Sequence, residues 1–227
     1  MSALAERLAG VQERIAAAAR AAGRDPDEIT LIAVSKEVGA DAVAEAMDAG
    51  QRDFGENRAQ ELTAKVAALA DDAEAARARA VWHFIGRLQR NKIKAIADAV
   101  SLWHSVDRAE IGTAIARHAP GARVLVEVNV AEEEQKGGCR PDDAAALVDA
   151  LRGLGLAVEG LMTVPPHVGD PRPHFATMRA LATRLELGTL SMGMSGDFEV
   201  AVAEGATMVR VGTAIFGHRP STTDLSR

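Results

Sequence analysis

The sequence predicts an α/β fold, a (β/α)8 TIM barrel formed as a single domain over residues 1–227, with an extra helix at the amino terminus. Short apolar runs alternate with Ala-rich amphipathic segments at intervals of about two to three dozen residues, the spacing of repeated βα units. Eight such runs are present, and no stretch has the composition of a linker. A chain of 227 residues that is 48% hydrophobic is large enough to bury one core of this size.

The predicted elements follow one another as an opening helix and eight βα units. Strands are assigned to short runs rich in Val, Ile and Leu, because a strand that is buried on both faces is continuously apolar. They lie at residues 29–35, 51–54, 81–85, 100–104, 123–129, 157–163, 188–191 and 207–211. Helices are assigned where apolar residues recur three and four positions apart. They lie at residues 2–22, 40–49, 57–78, 89–98, 107–118, 141–152, 173–186 and 196–204, and a short turn follows at 213–216.

A doubly wound open sheet is the alternative architecture. That fold usually carries a glycine-rich fingerprint directly after its first strand, where the backbone approaches a bound dinucleotide. The first strand here is followed by Ser35-Lys36-Glu37-Val38, which contains no glycine. The barrel is therefore the preferred prediction.

Composition excludes several classes of function. The net charge of −6 and the pI near 5.6 oppose binding to nucleic acid or to an anionic membrane, because both require a cationic face. Cys139 is the only cysteine, and no Cys/His cluster has the spacing of metal ligands. Neither a signal peptide nor a run of membrane-spanning length occurs. We expect a cytoplasmic, soluble protein without a structural metal.

Lys36 ends the apolar run of the first predicted strand. In α/β folds, ligands and catalytic groups collect at the carboxyl ends of the strands. An ammonium group that is partly desolvated loses its proton readily and becomes a nucleophile for aldehydes. The ordinary alternative, for any single lysine, is a solvated position in a strand-to-helix loop. The other motifs must decide between these two interpretations.

The last two strands end in loops with the composition of a phosphate cradle. Small and hydroxyl-bearing residues there leave backbone N–H groups accessible next to helix starts, and these loops are the usual phosphate site of such barrels. The residues are Ser191, Gly193, Ser195, Gly212 and Thr213. Ser195 alone has a second interpretation, as the N-cap of the helix that follows.

Arg210 lies in the eighth predicted strand, where period-two alternation puts it on the face opposite Val209 and Val211. One interpretation points its guanidinium into the barrel mouth, where a buried arginine needs an acceptor. A ring nitrogen of a ligand is the functional candidate for that acceptor. The structural alternative is an ion pair with Glu56, Glu127 or Asp197.

A nucleophilic lysine, a phosphate cradle across the barrel and an arginine between them together indicate pyridoxal 5′-phosphate, which carries an aldehyde, a phosphate and a pyridine nitrogen. At this point the sequence resembles the pyridoxal phosphate homeostasis proteins, single-domain relatives of the alanine racemase N-terminal barrel. The motifs that carry the resemblance cover nearly the whole chain: Val34-Ser35-Lys36, Phe54-Gly55-Glu56-Asn57, His83-Phe84-Ile85-Gly86-Arg87-Leu88-Gln89-Arg90-Asn91-Lys92, His104-Ser105-Val106-Asp107, Gly160-Leu161-Met162, Leu190-Ser191-Met192-Gly193-Met194-Ser195 and Val209-Arg210-Val211-Gly212-Thr213-Ala214-Ile215-Phe216-Gly217.

The resemblance implies a role for each matching residue. It implies that Lys36 is the Schiff-base lysine, that Arg210 is the partner of the pyridine nitrogen and that Asn57 faces the cofactor. It also implies phosphate contacts from Ser191, Gly193, Ser195, Gly212 and Thr213. Lys136 matches a lysine that the family keeps near the barrel mouth, and a solvated loop lysine is the alternative there. The stretch Glu37-Val38-Gly39 departs from the family, which more often has a Thr-Lys-Pro-like run at this place.

The absence of tyrosine separates two functions. The resemblance implies that racemases of this lineage use a second, β-rich domain and a tyrosine as the acid/base that opposes the lysine, and this chain contains no Tyr. An arginine at the ring nitrogen keeps the ring unprotonated and therefore a poor electron sink. We expect a pyridoxal 5′-phosphate-binding protein of intracellular vitamin B6 homeostasis, without substantial catalytic turnover. Its expected partners are the cofactor and apo-enzymes that need it, and its expected oligomeric state is a monomer or a weak dimer.

Two other functions remain open at this point. One is a weak pyridoxal phosphate-dependent racemase or related enzyme, which needs a substitute second base, with His83, His104 and His167 as candidates. The other is a different Schiff-base barrel, such as an aldolase-like enzyme that acts on a sugar phosphate. The second would bind no chromophore.

Overall fold

The computed structural model describes residues 2–70, 80–133, 135–166 and 168–217. In these ranges eight parallel strands close into a barrel in chain order, with the last strand paired to the first. The strands are β1 (Thr30–Val34), β2 (Asp53–Glu56), β3 (Val81–Phe84), β4 (Val100–Val106), β5 (Arg123–Glu127), β6 (Ala157–Met162), β7 (Thr189–Ser191) and β8 (Met208–Val211). Each lies within two residues of its predicted bounds, so the (β/α)8 barrel is confirmed.

Helices surround the barrel on its outer side. In the described ranges they are α1 (Ala3–Ala21), α2 (Ala40–Asp48), α3 (Ala59–Ala70), α4 (Arg90–Ile96), α5 (Ala109–His118), α6 (Ala144–Gly153), α7 (Arg172–Arg184), α8 (Phe198–Ala203) and α9 (Thr213–Phe216). Residues 71–78 of the helix predicted at 57–78 lie outside the described residues. None of the helices in the described ranges is long and apolar enough to cross a membrane.

The extra helix α1 packs on the helices that follow the last two strands. Its buried face carries apolar side chains three and four residues apart. Arg7 Nε donates to the carbonyl of Ile215 in α9 at 2.7 Å, and Arg14 Nε donates to Glu199 Oε1 in α8 at 2.7 Å. Helix α1 therefore braces the two helices that begin at the predicted phosphate loops.

Strand alternation separates an outer core from the barrel interior. The outer core packs the strands against the helices and contains most of the buried apolar side chains. Inside the barrel, Leu102, Leu125 and Met162 form a separate apolar cluster. Arg210 shares the inward face of β8 with Met208, which packs on that cluster, and its side chain is buried. The inward orientation predicted for Arg210 is thus confirmed.

Barrel closure corrects one expectation about the site. The phosphate cradle was predicted to lie across the barrel from Lys36, and this was wrong, because β8 is the direct neighbour of β1. The paired residues are Thr30 with Met208, Leu31 with Val209, Ile32 with Arg210 and Ala33 with Val211. A Cβ atom at Gly212 would lie 3.2 Å from the carbonyl oxygen of Val34. The cradle loops therefore lie beside the turn that carries Lys36.

Candidate functional site

Lys36 lies in a tight turn directly after β1. The N–H of Val38 donates to the carbonyl of Ser35 at 3.0 Å, which closes the turn, and Glu37 has a φ of 60°. A positive φ at the third position is typical of type II turns and is costly for any residue except glycine. Lys36 is partly exposed, and its amine has no hydrogen bond or ion pair within the described residues. The turn therefore presents an unpaired amine at the barrel mouth.

A buried trio supports this turn from the outer side of β1 and β2. We call Ser35, Glu56 and Lys65 the lysine platform. Lys65 Nζ donates to the Ser35 carbonyl at 2.6 Å and to Glu56 Oε1 at 2.5 Å. Ser35 Oγ donates to the same carboxylate oxygen at 2.6 Å. Burial raises the pKa of Glu56, while the hydrogen bonds from Lys65 and Ser35 act in the opposite direction.

Sequence reasoning missed the role of Lys65. Its signal was nevertheless present, because Lys65 follows Leu62 by three residues on the buried face of α3. A lysine on a buried helix face requires an acceptor, and Glu56 of the adjacent strand supplies it. The identity of that acceptor depends on how α3 docks, which periodicity does not specify.

Asn57 follows β2 at the mouth and is held by a close approach of the backbone. A Cβ atom at Gly86 would lie 2.2 Å from the carbonyl oxygen of Asn57, so only glycine allows the two loops to touch. Ser105 Oγ donates to the Gly86 carbonyl and fixes that loop in turn. The Oδ1 atom of Asn57 is buried and has no hydrogen-bond partner in the described part of the chain. An unpaired buried acceptor of this kind is a candidate ligand contact.

The loops after β7 and β8 are joined to each other at the mouth. The N–H of Gly212 donates to Ser195 Oγ at 3.3 Å. Gly193 has a φ of 92°, and a Cβ atom there would lie 2.5 Å from the Cβ of Ala201. Across residues 168–217 and the other described ranges, four neighbouring backbone N–H groups find no acceptor, those of Ser195, Gly196, Thr213 and Ala214. Clustered free N–H groups are what an anion such as phosphate binds.

Arg210 occupies the interior directly below this mouth. Its Nη1 donates to Ser191 Oγ at 2.7 Å, and its Nη2 donates to the carbonyl of Thr163 at 2.8 Å. The alternative of an ion pair with Glu56, Glu127 or Asp197 was wrong, because Arg210 has no ion pair among the described residues. Burial lowers the pKa of Arg210 to about 10, and the charges of Glu127 and Asp197 limit that fall. The guanidinium is therefore a cation at neutral pH, and it has more N–H donors than these two bonds use.

Ser191 and two histidines continue from Arg210 through the barrel interior. His104 Nδ1 lies 2.9 Å from Ser191 Oγ, and His104 Nε2 lies 2.9 Å from His83 Nδ1. His83 Nε2 lies 3.0 Å from Asp53 Oδ1 at the start of β2. We call Asp53, His83, His104, Ser191 and Arg210 the arginine relay. Sequence reasoning placed Ser191 at the phosphate, whereas its hydroxyl is buried and bonded within this relay.

The three histidines considered as second bases have different positions. His83 and His104 are buried and bonded to each other below Arg210, so neither ring presents a free nitrogen at the mouth. His167 lies outside the described residues. Lys136 is partly buried, and its Nζ donates to the carbonyl of Pro165 at 3.1 Å. Lys136 thus ties the loop after β5 to the loop after β6.

No group of His, Cys, Asp and Glu side chains within the described residues is arranged to hold a metal ion. Cys139 is partly buried, and burial raises the pKa of its thiol to about 12. The thiol is therefore protonated at neutral pH and is a poor nucleophile.

Four kinds of group at this end of the barrel have no partner, or spare donors, among the described residues. They are an unpaired amine on Lys36, an orphaned amide oxygen on Asn57, free backbone N–H groups in the last two loops and spare guanidinium donors on Arg210. These groups fit a ligand that has an aldehyde, an anionic group and a ring acceptor. Pyridoxal 5′-phosphate has all three.

Comparison with known proteins gives the family. Residues 7–220 match the alanine racemase N-terminal domain. The pyridoxal phosphate homeostasis protein of Pseudomonas aeruginosa is 47% identical over 229 residues, covering 96% of this chain and 97% of that one. The chain belongs to the pyridoxal phosphate homeostasis protein family. Another relative with that name, from Escherichia coli strain K12, is 41% identical and covers 96% of this chain and 98% of its own length.

Solved structures agree with this membership. PipY of Synechococcus elongatus PCC7942, in a structure with pyridoxal phosphate bound, has a TM-score of 0.80 and 35% identity, covering 94% of this chain and 100% of that one. An uncharacterised protein from Bifidobacterium adolescentis has a TM-score of 0.87 and 38% identity, with 94% of each chain covered. Lysine decarboxylase of Selenomonas ruminantium, with a TM-score of 0.66 and 16% identity, shares the barrel fold over 61% of its length.

Proposed function

We propose that this protein binds pyridoxal 5′-phosphate as a Schiff base on Lys36 and buffers or delivers it in pyridoxal phosphate homeostasis, without substantial catalytic turnover. The observation that carries the proposal is the placement of Lys36, the cradle loops and Arg210 at one barrel mouth, on the neighbouring strands β1, β7 and β8. These groups are complementary to the aldehyde, the phosphate and the ring nitrogen of the cofactor. The relatives named as homeostasis proteins support it, as does PipY with the cofactor bound.

Lys36 is assigned the covalent contact because its amine is free of competing partners. In the proposed link the amine nitrogen replaces the aldehyde oxygen, which leaves as water. The lysine platform fixes the backbone of the turn through hydrogen bonds at both the carbonyl and the hydroxyl of Ser35. The turn in turn positions the amine of Lys36. Asn57 is assigned a contact with the cofactor through its unpaired Oδ1.

The phosphate is assigned to the cradle loops. The free N–H groups of Ser195, Gly196, Thr213 and Ala214 are the donors, and the exposed hydroxyl of Thr213 adds another. Gly193 and Gly212 have no Cβ atom, so the first lies close to α8 and the second close to β1. Ser191 is assigned to the support of Arg210, because its hydroxyl already bonds Arg210 and His104.

Arg210 is assigned to the ring nitrogen. When bound, the cofactor supplies an electron sink whose strength depends on protonation of that nitrogen. A guanidinium that stays cationic at neutral pH donates to the nitrogen and disfavours a second positive charge there. A residue opposite the lysine is also needed to move a proton at the substrate carbon. The chain has no tyrosine, and His83 and His104 are bonded to each other below the mouth. These features favour binding over turnover.

Absorption and chemical trapping test the covalent contact. Purified protein with added pyridoxal phosphate should be yellow, and borohydride should fix the cofactor on the peptide that contains Lys36. Lys36→Ala should remove the visible band, while the control Lys136→Ala should keep it. A colourless saturated protein, or a label on Lys136, contradicts the assignment.

Proton exchange and transfer together test the carrier role. Loaded protein with L- or D-alanine in deuterated water should show almost no exchange at the α-carbon. Mixed with an apo-enzyme that depends on the cofactor, it should restore activity, and a cofactor trap separates direct transfer from simple release. Exchange that requires Lys36, at rates of about one per second or faster, is typical of a dedicated enzyme and contradicts the carrier role.

A further inference from the structure

The arginine relay is a continuous chain of four hydrogen-bonded contacts across the barrel. It begins at the Asp53 carboxylate on β2 and ends at the Arg210 guanidinium on β8, with distances of 3.0, 2.9, 2.9 and 2.7 Å. His83, His104, Ser191 and Arg210 are all buried. The side chain of Asp53 is 29% exposed, so the chain reaches solvent at its acidic end.

The charges at the two ends favour one direction for every bond between them. A carboxylate only accepts, so His83 Nε2 carries a proton and donates it to Asp53. A guanidinium only donates, so Ser191 Oγ accepts from Arg210 and has its own proton free to donate to His104 Nδ1. His104 then holds its proton on Nε2 and donates it to the bare Nδ1 of His83. All four donors point from the arginine to the aspartate.

Only neutral histidines satisfy this arrangement. A proton added at Nδ1 of His83 would bring two N–H groups together across the 2.9 Å that separates the rings. The proton of His104 would then have to move to Nδ1, and the Ser191 hydroxyl would lose its acceptor. Burial lowers the pKa of His104 well below its ordinary value, and the charges of Arg210 and Arg123 lower it further. The charged groups around the histidine pair and its ends are Asp53 on β2, Arg210 on β8, Glu127 and Arg123 on β5, and Asp197 before α8. Arg123 is paired with Glu159 on β6.

We propose that Asp53, His83, His104 and Ser191 are positioning residues for Arg210, held as a one-directional relay in which both histidines are neutral Nε2–H tautomers. The anionic end favours donation toward itself, and the cationic end favours donation away from itself, so the two charges hold one orientation of every member. Arg210 keeps its other donors for the ring of the cofactor, a step that rests on the proposed function. The predicted tautomers of His83 and His104 do not depend on the proposed function.

The acidic end of the relay opens into a groove at the amino-terminal face of the barrel. Asp53 lines this groove, which has a volume of about 430 Å³ and is bordered by α1, β1 and the segment before β2. The face lies opposite the mouth that holds Lys36. Asp53 contacts the relay at His83 and lies at the face away from Lys36, so Asp53→Asn changes the relay without removing a group from the proposed cofactor site.

Histidine nitrogen NMR on the cofactor-free protein is the first test. With two-bond ¹H–¹⁵N correlations, and assignment from the single variants His83→Gln and His104→Gln, both rings should be neutral Nε2–H tautomers at neutral pH. An Nδ1–H tautomer or a charged ring at either position overturns the proposal, whatever the protein does with the cofactor.

Asp53→Asn is the second test, because it removes the charge and keeps the shape. An amide either accepts from or donates to His83, so the single direction should be lost, and the tautomer signal of His104 should change although His104 does not contact residue 53. Asp27→Asn, on a second carboxylate in the same groove, should leave both histidines unchanged. A change confined to His83 in Asp53→Asn would mean that the contacts are only local and would overturn the relay.

Cofactor binding connects the relay to the ring nitrogen. Asp53→Asn should raise the dissociation constant for pyridoxal phosphate by roughly three- to tenfold, with no rise for the analogue in which carbon replaces the ring nitrogen. Equal losses for cofactor and analogue would refute positioning of Arg210 toward the ring. If the wild-type protein binds cofactor and analogue equally, Arg210 does not contact the ring nitrogen. That outcome refutes the assignment of Arg210 to the ring and with it the role of the relay in cofactor binding. The NMR measurement still reports independently on the direction of the hydrogen bonds in the relay.

Discussion

The lysine end and the arginine end of the proposed site are supported in different ways. Lys36 rests on the lysine platform, three residues of β1, β2 and α3 packed on the outer side of the barrel. Arg210 rests on a chain that passes through the interior and involves β2, β3, β4 and β7. The platform fixes the backbone of a turn, whereas the relay fixes the side chain of a strand residue.

This difference fits the role that is proposed for each end. A lysine that forms and releases a covalent link needs a mobile side chain on a fixed base, so its support is confined to the backbone below it. An arginine that contacts one ring atom needs a fixed side chain, because a misdirected donor loses most of its hydrogen bond. The two ends should therefore respond differently to substitution.

The largest expected effect is on stability at the lysine platform. Lys65→Met should lower the free energy of unfolding by about 3–5 kcal/mol, because it leaves Glu56 buried without its cation. Denaturant unfolding measures this. Lys65→Met combined with Glu56→Gln should recover part of the loss, and the control Lys94→Met on the exposed face of α4 should cost little. A neutral Lys65→Met would mean that the platform does not support the turn.

The next effect concerns the cradle backbone. Gly193→Ala should destabilise the protein by roughly 1–3 kcal/mol and weaken phosphate binding, because φ is 92° there and the new Cβ would meet Ala201 at 2.5 Å. Gly196→Ala is the matched control in the same loop, since a Cβ there meets nothing within 4 Å. Thermal unfolding and cofactor titration of both variants give the comparison. Equal behaviour would show that the loop adapts.

Substitution of two serines should distinguish contacts with the phosphate from contacts with the ring. Ser195→Ala removes the hydrogen bond that joins the two cradle loops. It should weaken the binding of pyridoxal phosphate about three- to tenfold and the binding of pyridoxal less. Ser191→Ala removes an acceptor of Arg210 and should weaken the binding of pyridoxal phosphate and of pyridoxal by a similar factor. Titration of each variant with both vitamers measures this. A phosphate-specific loss in Ser191→Ala would return Ser191 to the phosphate site.

The smallest net effect is on the pH dependence of stability, because two groups act in opposite directions. Burial, with the charge of Asp107, raises the pKa of Glu127 from 4.5 to about 7. As pH rises, the unfolded chain loses this proton before the folded chain does. The free energy of unfolding therefore falls between about pH 4.5 and about pH 7. His104 acts the other way, because its lowered pKa makes the unfolded chain take up a proton first as pH falls below 6.5.

Variants at the two sites should expose these slopes one at a time. Glu127→Gln should leave stability that rises with pH, and His104→Gln should leave stability that falls with pH across the same window. Urea unfolding between about pH 5 and pH 8 measures both. Identical slopes in the two variants would contradict the assignment.

Much of the candidate site could be predicted from the sequence, because each sequence pattern involved covers only a few neighbouring residues. The position of Lys36 after an apolar run, the small residues of the cradle loops and the inward face of Arg210 each depend on a few neighbouring residues. The ion pair considered for Arg210 was wrong because two other acceptors, Ser191 in β7 and Thr163 directly after β6, bind the guanidinium instead. The role of Asp53 was missed because its partner His83 lies on another strand, and that of Lys65 because the docking of α3 brings it to Glu56.

The sequence by itself determined the order of the elements, the barrel class and the identity of the groups at the strand ends, because periodicity and turn chemistry act over a few residues. Tertiary structure alone decided that β8 lies beside β1 and that Asp53, His83, His104, Ser191 and Arg210 meet in one chain. Closure and the register between strands set which inward side chains share a level of the barrel. Register is a property of pairs of strands, and no single run of residues encodes it.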